Sequence, residues 1–339
     1  MPESSSKKKK IESSPAVKND PLREYEGARA LVLGAGGFIG LWVSRLLSEA
    51  GAEVTTALRN GASAGLLETF GVRSEIRVSD LMTAGSLKHL ISSARPSIVF
   101  NLAGYGIDRT ETDEETAFKI NSGLVNQVCE AVDSGPAGGW NKLRVVHAGS
   151  AMEYGAVPGN LEEDSDTRPT TVYGRSKLAG TLELQQYCER TGLKGATGRL
   201  FAIYGPGEAP SRLLPTLIGA ADEDGEIELT EGLHRRDFTF VGDAAEGLLR
   251  LGMSDARPGT VVNIATGKLT SIREFTEIAA GVIGIDAERL AFGALPTRPE
   301  EMFNDAVSVS RCRSLLDWVP ETSITEGIGR TIAAEITGS

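Results

Sequence analysis

The stretch Ala30-Leu31-Val32-Leu33-Gly34-Ala35-Gly36-Gly37-Phe38-Ile39-Gly40-Leu41-Trp42-Val43-Ser44-Arg45-Leu46-Leu47 decides how this chain folds. Its first four residues form a short apolar run of the kind that becomes a strand buried on both faces, and the residues from Leu41 onward have helical periodicity. The glycines between them are the turn. Gly34 permits the tight reversal, Gly37 lets the backbone approach a pyrophosphate, and Gly40 lets the helix pack close to the strand. Phe38 and Ile39 belong to the same candidate cofactor-binding turn, and the N-terminus of the helix beyond it supplies unpaired N–H groups that suit an anion. A dinucleotide is the ligand that such a cradle predicts. Because the spacing G-x-x-G-x-x-G is looser than G-x-G-x-x-G, the strand and helix on either side carry the reading.

Working outward, strand-like runs recur at Glu53 to Leu58, Glu75 to Val78, Ser97 to Leu102, Leu143 to Ala148 and Gly195 to Phe201, with helical stretches between them. Two long ones run from Glu114 to Val132 and from Val172 to Arg190. This alternation predicts an α/β fold, a doubly wound parallel sheet of the Rossmann type. Past Tyr204-Gly205-Pro206-Gly207 the pattern becomes irregular, as expected of a smaller C-terminal substrate-binding lobe. The organisation predicted is a disordered tail over 1–26, a dinucleotide-binding domain over 27–200, and a lobe over 201–335 whose segments interleave with the sheet.

Composition narrows the class. A chain of 339 residues with 40% hydrophobic and 24% charged residues can bury a full core. No apolar stretch approaches the length of a membrane helix and the N-terminus lacks an apolar signal region, so a cytoplasmic protein away from the membrane is expected. A net charge of −11 argues against nucleic acid as a partner, so an anionic substrate would need locally placed arginines. Cys129, Cys188 and Cys312 are widely spaced, and the three histidines lack ligand spacing; neither a disulfide framework nor a metal site is expected. Lys7 to Lys10 lie among Ser, Glu and Pro residues without apolar periodicity, which reads as disorder.

The chemistry is in the middle of the chain. Tyr173 and Lys177 are four residues apart and share a helix face. An ammonium near a phenol favours the phenolate and should lower the tyrosine pKa from about 10 toward neutrality, as proton transfer requires. Ser150 follows the strand Leu143 to Ala148, at the sheet end where doubly wound folds place ligands, and its hydroxyl can hold a carbonyl oxygen.

In order along the chain come the glycine turn, Asp80-Leu81, Asn101-Leu102-Ala103-Gly104, Asn121, Ser150 with Tyr154-Gly155, Tyr173-x-x-x-Lys177, Arg199-Leu200-Phe201, Tyr204-Gly205-Pro206-Gly207, Arg236-Asp237-Phe238 and Arg298. With these pieces the chain resembles the extended short-chain dehydrogenase/reductase family, in its nucleotide-sugar branch of the epimerase/dehydratase type. The resemblance runs from about Ala28 to Thr331. It implies catalytic roles for Ser150, Tyr173 and Lys177. Asp80 and Leu81 would contact adenine, Leu102, Ala103 and Gly104 the ribose and phosphates, and Lys177 the nicotinamide ribose. Phe201 would also lie on the cofactor, and Asn121 would support the site. Ser150, Met152 and Tyr173 would meet the sugar, and Arg236 and Arg298 the nucleotide diphosphate, for which guanidinium groups are suited. A homodimer through the two long helices is expected on the same ground.

Cofactor and reaction follow from smaller differences. Where an acidic residue would bind the ribose 2′-hydroxyl, this chain has Leu58-Arg59, so Arg59 facing a 2′-phosphate makes NADP(H) the expected cofactor over NAD(H). Sugar 4,6-dehydratases of the family carry an Asp-Glu pair where this chain has Ala151-Met152, which disfavours dehydration. The remaining reactions are NADPH-dependent reduction of a nucleotide-diphospho-4-keto-6-deoxyhexose, which the sequence places first, and 4-epimerisation with NAD. Ala202, where many nucleotide-sugar members carry Asn, also leaves open a non-nucleotide carbonyl substrate. A non-catalytic NADP(H) sensor is the reading furthest from these.

Overall fold

The computed structural model of the chain describes residues 21–338 apart from 108, 109, 137, 138 and 298–304. Strands and helices are numbered in chain order. The strand predicted at the glycine turn is β1 (Arg29–Leu33), buried on both faces through its apolar residues, and it lies next to the central strand of a sheet of seven parallel strands. From one edge to the other the order is β3 (Glu75–Val78), β2 (Glu53–Leu58), β1, β4 (Ile98–Asn101), β5 (Val145–Ser150), β7 (Gly195–Leu200) and β11 (Thr260–Ile264). The chain winds outward in both directions from β1 and β4, so the loops leaving their carboxyl ends run apart and leave the crevice in which such sheets bind ligands.

Helices cover both faces, because a parallel sheet exposes apolar side chains on each. On one face α1 (Phe38–Glu49) packs beside α8 (Val241–Met253), with Leu41, Val43, Leu47, Leu248 and Leu249 buried. On the other lie α3 (Ser86–Ala94), α5 (Leu124–Asp133) and α6 (Val172–Thr191), contributing Leu90, Val128 and Leu184. The short α2 (Ala64–Thr69) follows β2, and α4 (Glu114–Phe118) precedes α5.

The remaining elements make the smaller lobe. A three-stranded sheet is built from β8 (Ala202–Tyr204), β10 (Arg235–Phe240) and β12 (Leu269–Ser271). Two-stranded pairs join β9 (Ile227–Leu229) to β13 (Leu290–Phe292), and β6 (Asn160–Leu161) to β14 (Ala306–Val307). Helices α7 (Leu213–Gly219), α9 (Ile272–Ile283), α10 (Ser310–Leu316) and α11 (Ile324–Gly338) complete it. Trp42 of α1 ties the lobe to the sheet layer, donating its indole N–H to the Pro206 carbonyl at 2.9 Å and meeting Phe240 edge-on.

Two sequence expectations change. The tail expected to be disordered through 26 is ordered at its end: Pro21–Tyr25 is a 3-10 turn, with Tyr25 fully buried and its hydroxyl donating to the Leu249 carbonyl at 2.7 Å. The ring packs near Phe100 and Trp140, contacts too distant in sequence to show as periodicity. Lys7 to Lys10 lie outside the described residues. Thr260–Ile264, inside the span 201–335 whose segments were expected to interleave with the sheet, is an edge strand of the main sheet, paired with β7. The long helix predicted from Glu114 to Val132 is broken by a π turn at Lys119–Gly123. None of the described helices is long and apolar enough to cross a membrane.

Candidate active site

The cofactor cradle forms at the carboxyl ends of the adjacent strands β1 and β4. Gly34 has φ +77°, and a Cβ there would lie 2.7 Å from the Ala103 nitrogen and 2.8 Å from the Leu102 carbonyl. A Cβ on Gly40 would overlap the Gly34 carbonyl oxygen. Both positions therefore need glycine, as the turn predicted, and Leu102 and Ala103 lie directly against it. Gly37 is the N-cap of α1 and supplies no side-chain cap, leaving the amides of the first turn open to an anion. These are the features a dinucleotide diphosphate needs, and the residues fit the group. Arg59 follows β2, is exposed, and among the described residues makes no hydrogen bond or ion pair. Asp80 lies just beyond β3, where its carboxylate accepts the Met82 amide at 3.0 Å, and Leu81 packs partly buried on the core.

Ser150 is the last residue of β5, paired with Leu200, and not a residue of the loop beyond it. It is at once the N-cap of the short turn Ala151–Glu153, its hydroxyl accepting the Met152 amide at 3.2 Å. Met152 is partly buried beside it. Tyr173 stands at the start of α6, which Thr171 caps by accepting the Gly174 amide at 3.0 Å. The Ser150 hydroxyl lies near enough to the Tyr173 phenol to favour its phenolate form. Lys177, one turn further, is buried.

The helix approaches this closely because of small residues on the buried face. A Cβ on Gly180 would overlap the Asn121 carbonyl oxygen. Asn121 sits in the π turn: its amide donates to the Ser176 hydroxyl and to the Tyr105 carbonyl at 2.8 Å each, and its side-chain oxygen accepts the Tyr105 amide at 3.0 Å. That network holds the loop after β4 to the helix of Tyr173 and Lys177.

Electrostatics at Tyr173 run against the sequence expectation. Burial pushes the phenol up to about 12; the carboxylates of Glu153 and Glu111 add to the rise, while the Ser150 hydroxyl and Arg212 oppose it. Spacing of four residues suggested a lowered value, but desolvation of a buried phenolate outweighs the neighbouring charges. Lys177 moves down to about 8, again through burial, with Glu153 opposing. His147 on β5 is held neutral by burial and by Lys177. Its Nε2, Asn101 Oδ1 and Thr197 Oγ1, at matched register on three adjacent strands, are buried without a hydrogen-bond partner among the described residues.

Glu153 was not singled out by sequence reasoning. Its side chain is fully buried, accepts the Ser150 amide at 2.7 Å and the Thr181 hydroxyl at 3.1 Å, and pairs with Arg199 at 2.8 Å. The pattern Ser150-x-x-Glu153 is a capping box and was legible as one. Arg199, 46 residues away, left no signal for the pairing.

Other predicted substrate residues lie apart from this cluster in the fold. Arg236 is on β10, with its guanidinium donating to the Arg235 carbonyl at 2.9 Å. Ala202 is on the neighbouring β8, opposite Phe238. Phe201, between β7 and β8, packs partly buried near Tyr154. Arg298 lies outside the described residues.

A doubly wound sheet with a glycine cradle and a Ser-Tyr-Lys set at its carboxyl edge defines an NAD(P)-dependent enzyme of the extended short-chain dehydrogenase/reductase type. The comparisons make this specific. The chain belongs to the NAD dependent epimerase/dehydratase family, whose profile matches residues 30–265. It is 28% identical over 320 residues to the dTDP-6-deoxy-L-talose 4-dehydrogenase (NAD(P)(+)) of Kitasatospora kifunensis, covering 91% of this chain and 96% of that one. With the UDP-glucose 4-epimerase of Mycolicibacterium smegmatis it shares 29% identity over 90% of this chain and 97% of the other. Among solved structures, MoeE5 in complex with UDP-glucuronic acid and NAD superimposes with a TM-score of 0.78 at 27% identity, covering 91% of this chain and 99% of its own.

Proposed function

We propose that this enzyme acts on C4 of a nucleotide-diphosphate hexose through a 4-keto sugar, and that 4-epimerisation is its reaction. The observation that carries the proposal is the placement of Ser150 at the end of β5 and of Tyr173 and Lys177 one turn apart on α6, at the carboxyl edge of the sheet. The relatives support the choice between reactions: the Mycolicibacterium relative is a UDP-glucose 4-epimerase, and MoeE5 was solved with UDP-glucuronic acid and NAD. Reduction, placed first from sequence, thereby becomes the second reading. Ala151 and Met152, in place of an acid-base pair, support a site that does not dehydrate the sugar.

A nicotinamide dinucleotide held at Gly34, Gly37 and Gly40 would supply hydride acceptance and return. Everything else is work for side chains. Tyr173, in its phenolate form, takes the proton of the C4 hydroxyl as C4 loses its hydrogen with the bonding electrons, and the Ser150 hydroxyl donates to the carbonyl oxygen that forms. Lys177, as an ammonium, stabilises the phenolate. Return of the hydrogen to the opposite face of C4, with the proton returning from Tyr173, inverts that carbon and leaves no net redox change.

Two observations favour reduction as the alternative. Arg59, exposed and unpaired among the described residues, suits the 2′-phosphate of NADPH. Tyr173, pushed up to about 12, is a phenol ready to donate its proton to a ketone. The Kitasatospora 4-dehydrogenase is a relative with redox chemistry at C4 in its name.

One experiment separates the readings. Incubation with UDP-glucose, UDP-glucuronic acid and dTDP-sugars, followed by NMR, should give C4 inversion without consumption of NAD(P)H. Net oxidation of NADPH with nucleotide-linked 4-keto sugars and no inversion would establish reduction instead. Turnover of simple ketones alone would overturn the nucleotide-sugar substrate class.

A further inference from the structure

The buried charges under Ser150 have a geometry that the proton-transfer set alone does not account for. Glu153 is fully buried, an expensive place for a carboxylate unless several donors satisfy it. Three do, and each comes from a different element. The Ser150 amide arrives from the end of β5 at 2.7 Å, the Thr181 hydroxyl from α6 at 3.1 Å, and Arg199 Nε from β7 at 2.8 Å. Gly149 makes room for it, since a Cβ there would lie 2.6 Å from Glu153 Oε1. Thr181 stands one helical turn beyond Lys177, which stands one turn beyond Tyr173. One carboxylate therefore joins the strand end that carries Ser150 to the helix that carries the other two groups.

We propose that Glu153 is the positioning residue of this site: it fixes the Ser150 hydroxyl against the Tyr173–Lys177 face of α6, and its charge keeps the Lys177 ammonium in place. The inference rests on reading Ser150, Tyr173 and Lys177 as the proton-transfer set. Arg199 holds the carboxylate on the side away from α6, backed by the Glu163 carbonyl at 3.3 Å and by the face of the Tyr154 ring.

The charged and titratable neighbours agree. Lys177 faces Glu153 from the turn after β5 and His147 from β5 itself, and of these Glu153 is the one that favours the ammonium. Tyr173 faces Glu153, Glu111 and Arg212. Arg199 is held charged by Glu153 and Tyr154. Neutralising Glu153 should thus lower the proton affinity of Lys177, while a Gln still offers an oxygen to Ser150 and Thr181.

The test uses full-length Glu153→Gln, and Glu153→Gln/Arg199→Met to avoid leaving an arginine charge unpaired should the single variant fail to fold. Lys177 is titrated by NMR in chain labelled with 13C at lysine Cε, its signal assigned by its loss in Lys177→Met; this readout needs no substrate. In whichever variant melts cooperatively, the Lys177 midpoint should fall by about one pH unit. Turnover near neutral pH should drop by about 10- to 100-fold, with the NAD(P)H dissociation constant within about threefold of wild type. A structural role alone would lower the melting temperature and leave the midpoint where it was, and an unmoved midpoint in a folded variant overturns the proposal. If wild type turns over no nucleotide sugar while the midpoint shifts, the function proposed above fails and the positioning role stands.

Discussion

Replacing Gly180 by alanine should separate catalysis from cofactor binding. The methyl would sit well inside 3.0 Å of the Asn121 carbonyl oxygen, closer than Cβ atoms are found in proteins. Restoring ordinary contact at 3.4 Å requires α6 and the π turn to move apart by a displacement on the order of 1 Å. Neither side yields easily: Asn121 is tied to Ser176 and twice to Tyr105, and Lys177 and Tyr173 share the helix face of Gly180. A misplacement of that size costs roughly 100-fold in turnover, equivalent to about 2.7 kcal/mol of activation free energy. Overpacking should cost about 1–3 kcal/mol of stability, offset in part by the better helix propensity of alanine. The glycine turn at Gly34 to Gly40 is untouched, so NAD(P)H affinity, read by fluorescence titration, should change by less than about threefold. Gly281→Ala is the control: it lies in α9 with open space around it, and should leave turnover alone and stabilise by about 0.5–1 kcal/mol. Wild-type turnover and melting temperature in Gly180→Ala would refute the claim that α6 is seated by contact with the π turn.

Tyr173→Phe should abolish turnover and leave NAD(P)H binding nearly intact; a variant that keeps most of its rate would show that another group moves the proton. Lys177→Met addresses stability and pH together. The folded-state value near 8 lies below the ordinary 10.5, so the buried ammonium destabilises the fold fully below pH 8 and the penalty fades as pH rises from 8 to 10.5. The variant should therefore unfold less readily than wild type at neutral pH, by up to about 3 kcal/mol, with the advantage shrinking toward pH 10; a constant difference in denaturant midpoints across that window would contradict the burial. Arg59→Ala should raise the Michaelis constant for NADPH at least about 10-fold and leave that for NADH unchanged, and equal effects on both would remove the basis for a 2′-phosphate contact.

Much of the architecture was visible in local patterns. The glycine turn, the strands Glu53–Leu58 and Glu75–Val78, and a helix from Val172 are set by apolar periodicity, and they fall where the periodicity places them. Ser150, Tyr173 and Lys177 were legible as candidates for proton transfer through the order of motifs along the chain and the family resemblance that order carries. The π turn at Lys119–Gly123 was not, since its residues continue an unbroken amphipathic pattern and the break answers to α6 packing against it. Nor was the order at Tyr25, which depends on Leu249, Phe100 and Trp140 from three other parts of the chain.

The sequence by itself determined the class of fold, the glycine turn and the shared helix face of Tyr173 and Lys177, because each is written in residues close to one another along the chain. Tertiary structure decided their electrostatics. Four-residue spacing argued for an acidic phenol at Tyr173, whereas burial drives it the other way, and desolvation is a property of everything packed around a group. It also brought Arg199 to Glu153 and Thr181 to the same carboxylate, across elements whose adjacency exists only once the sheet has formed.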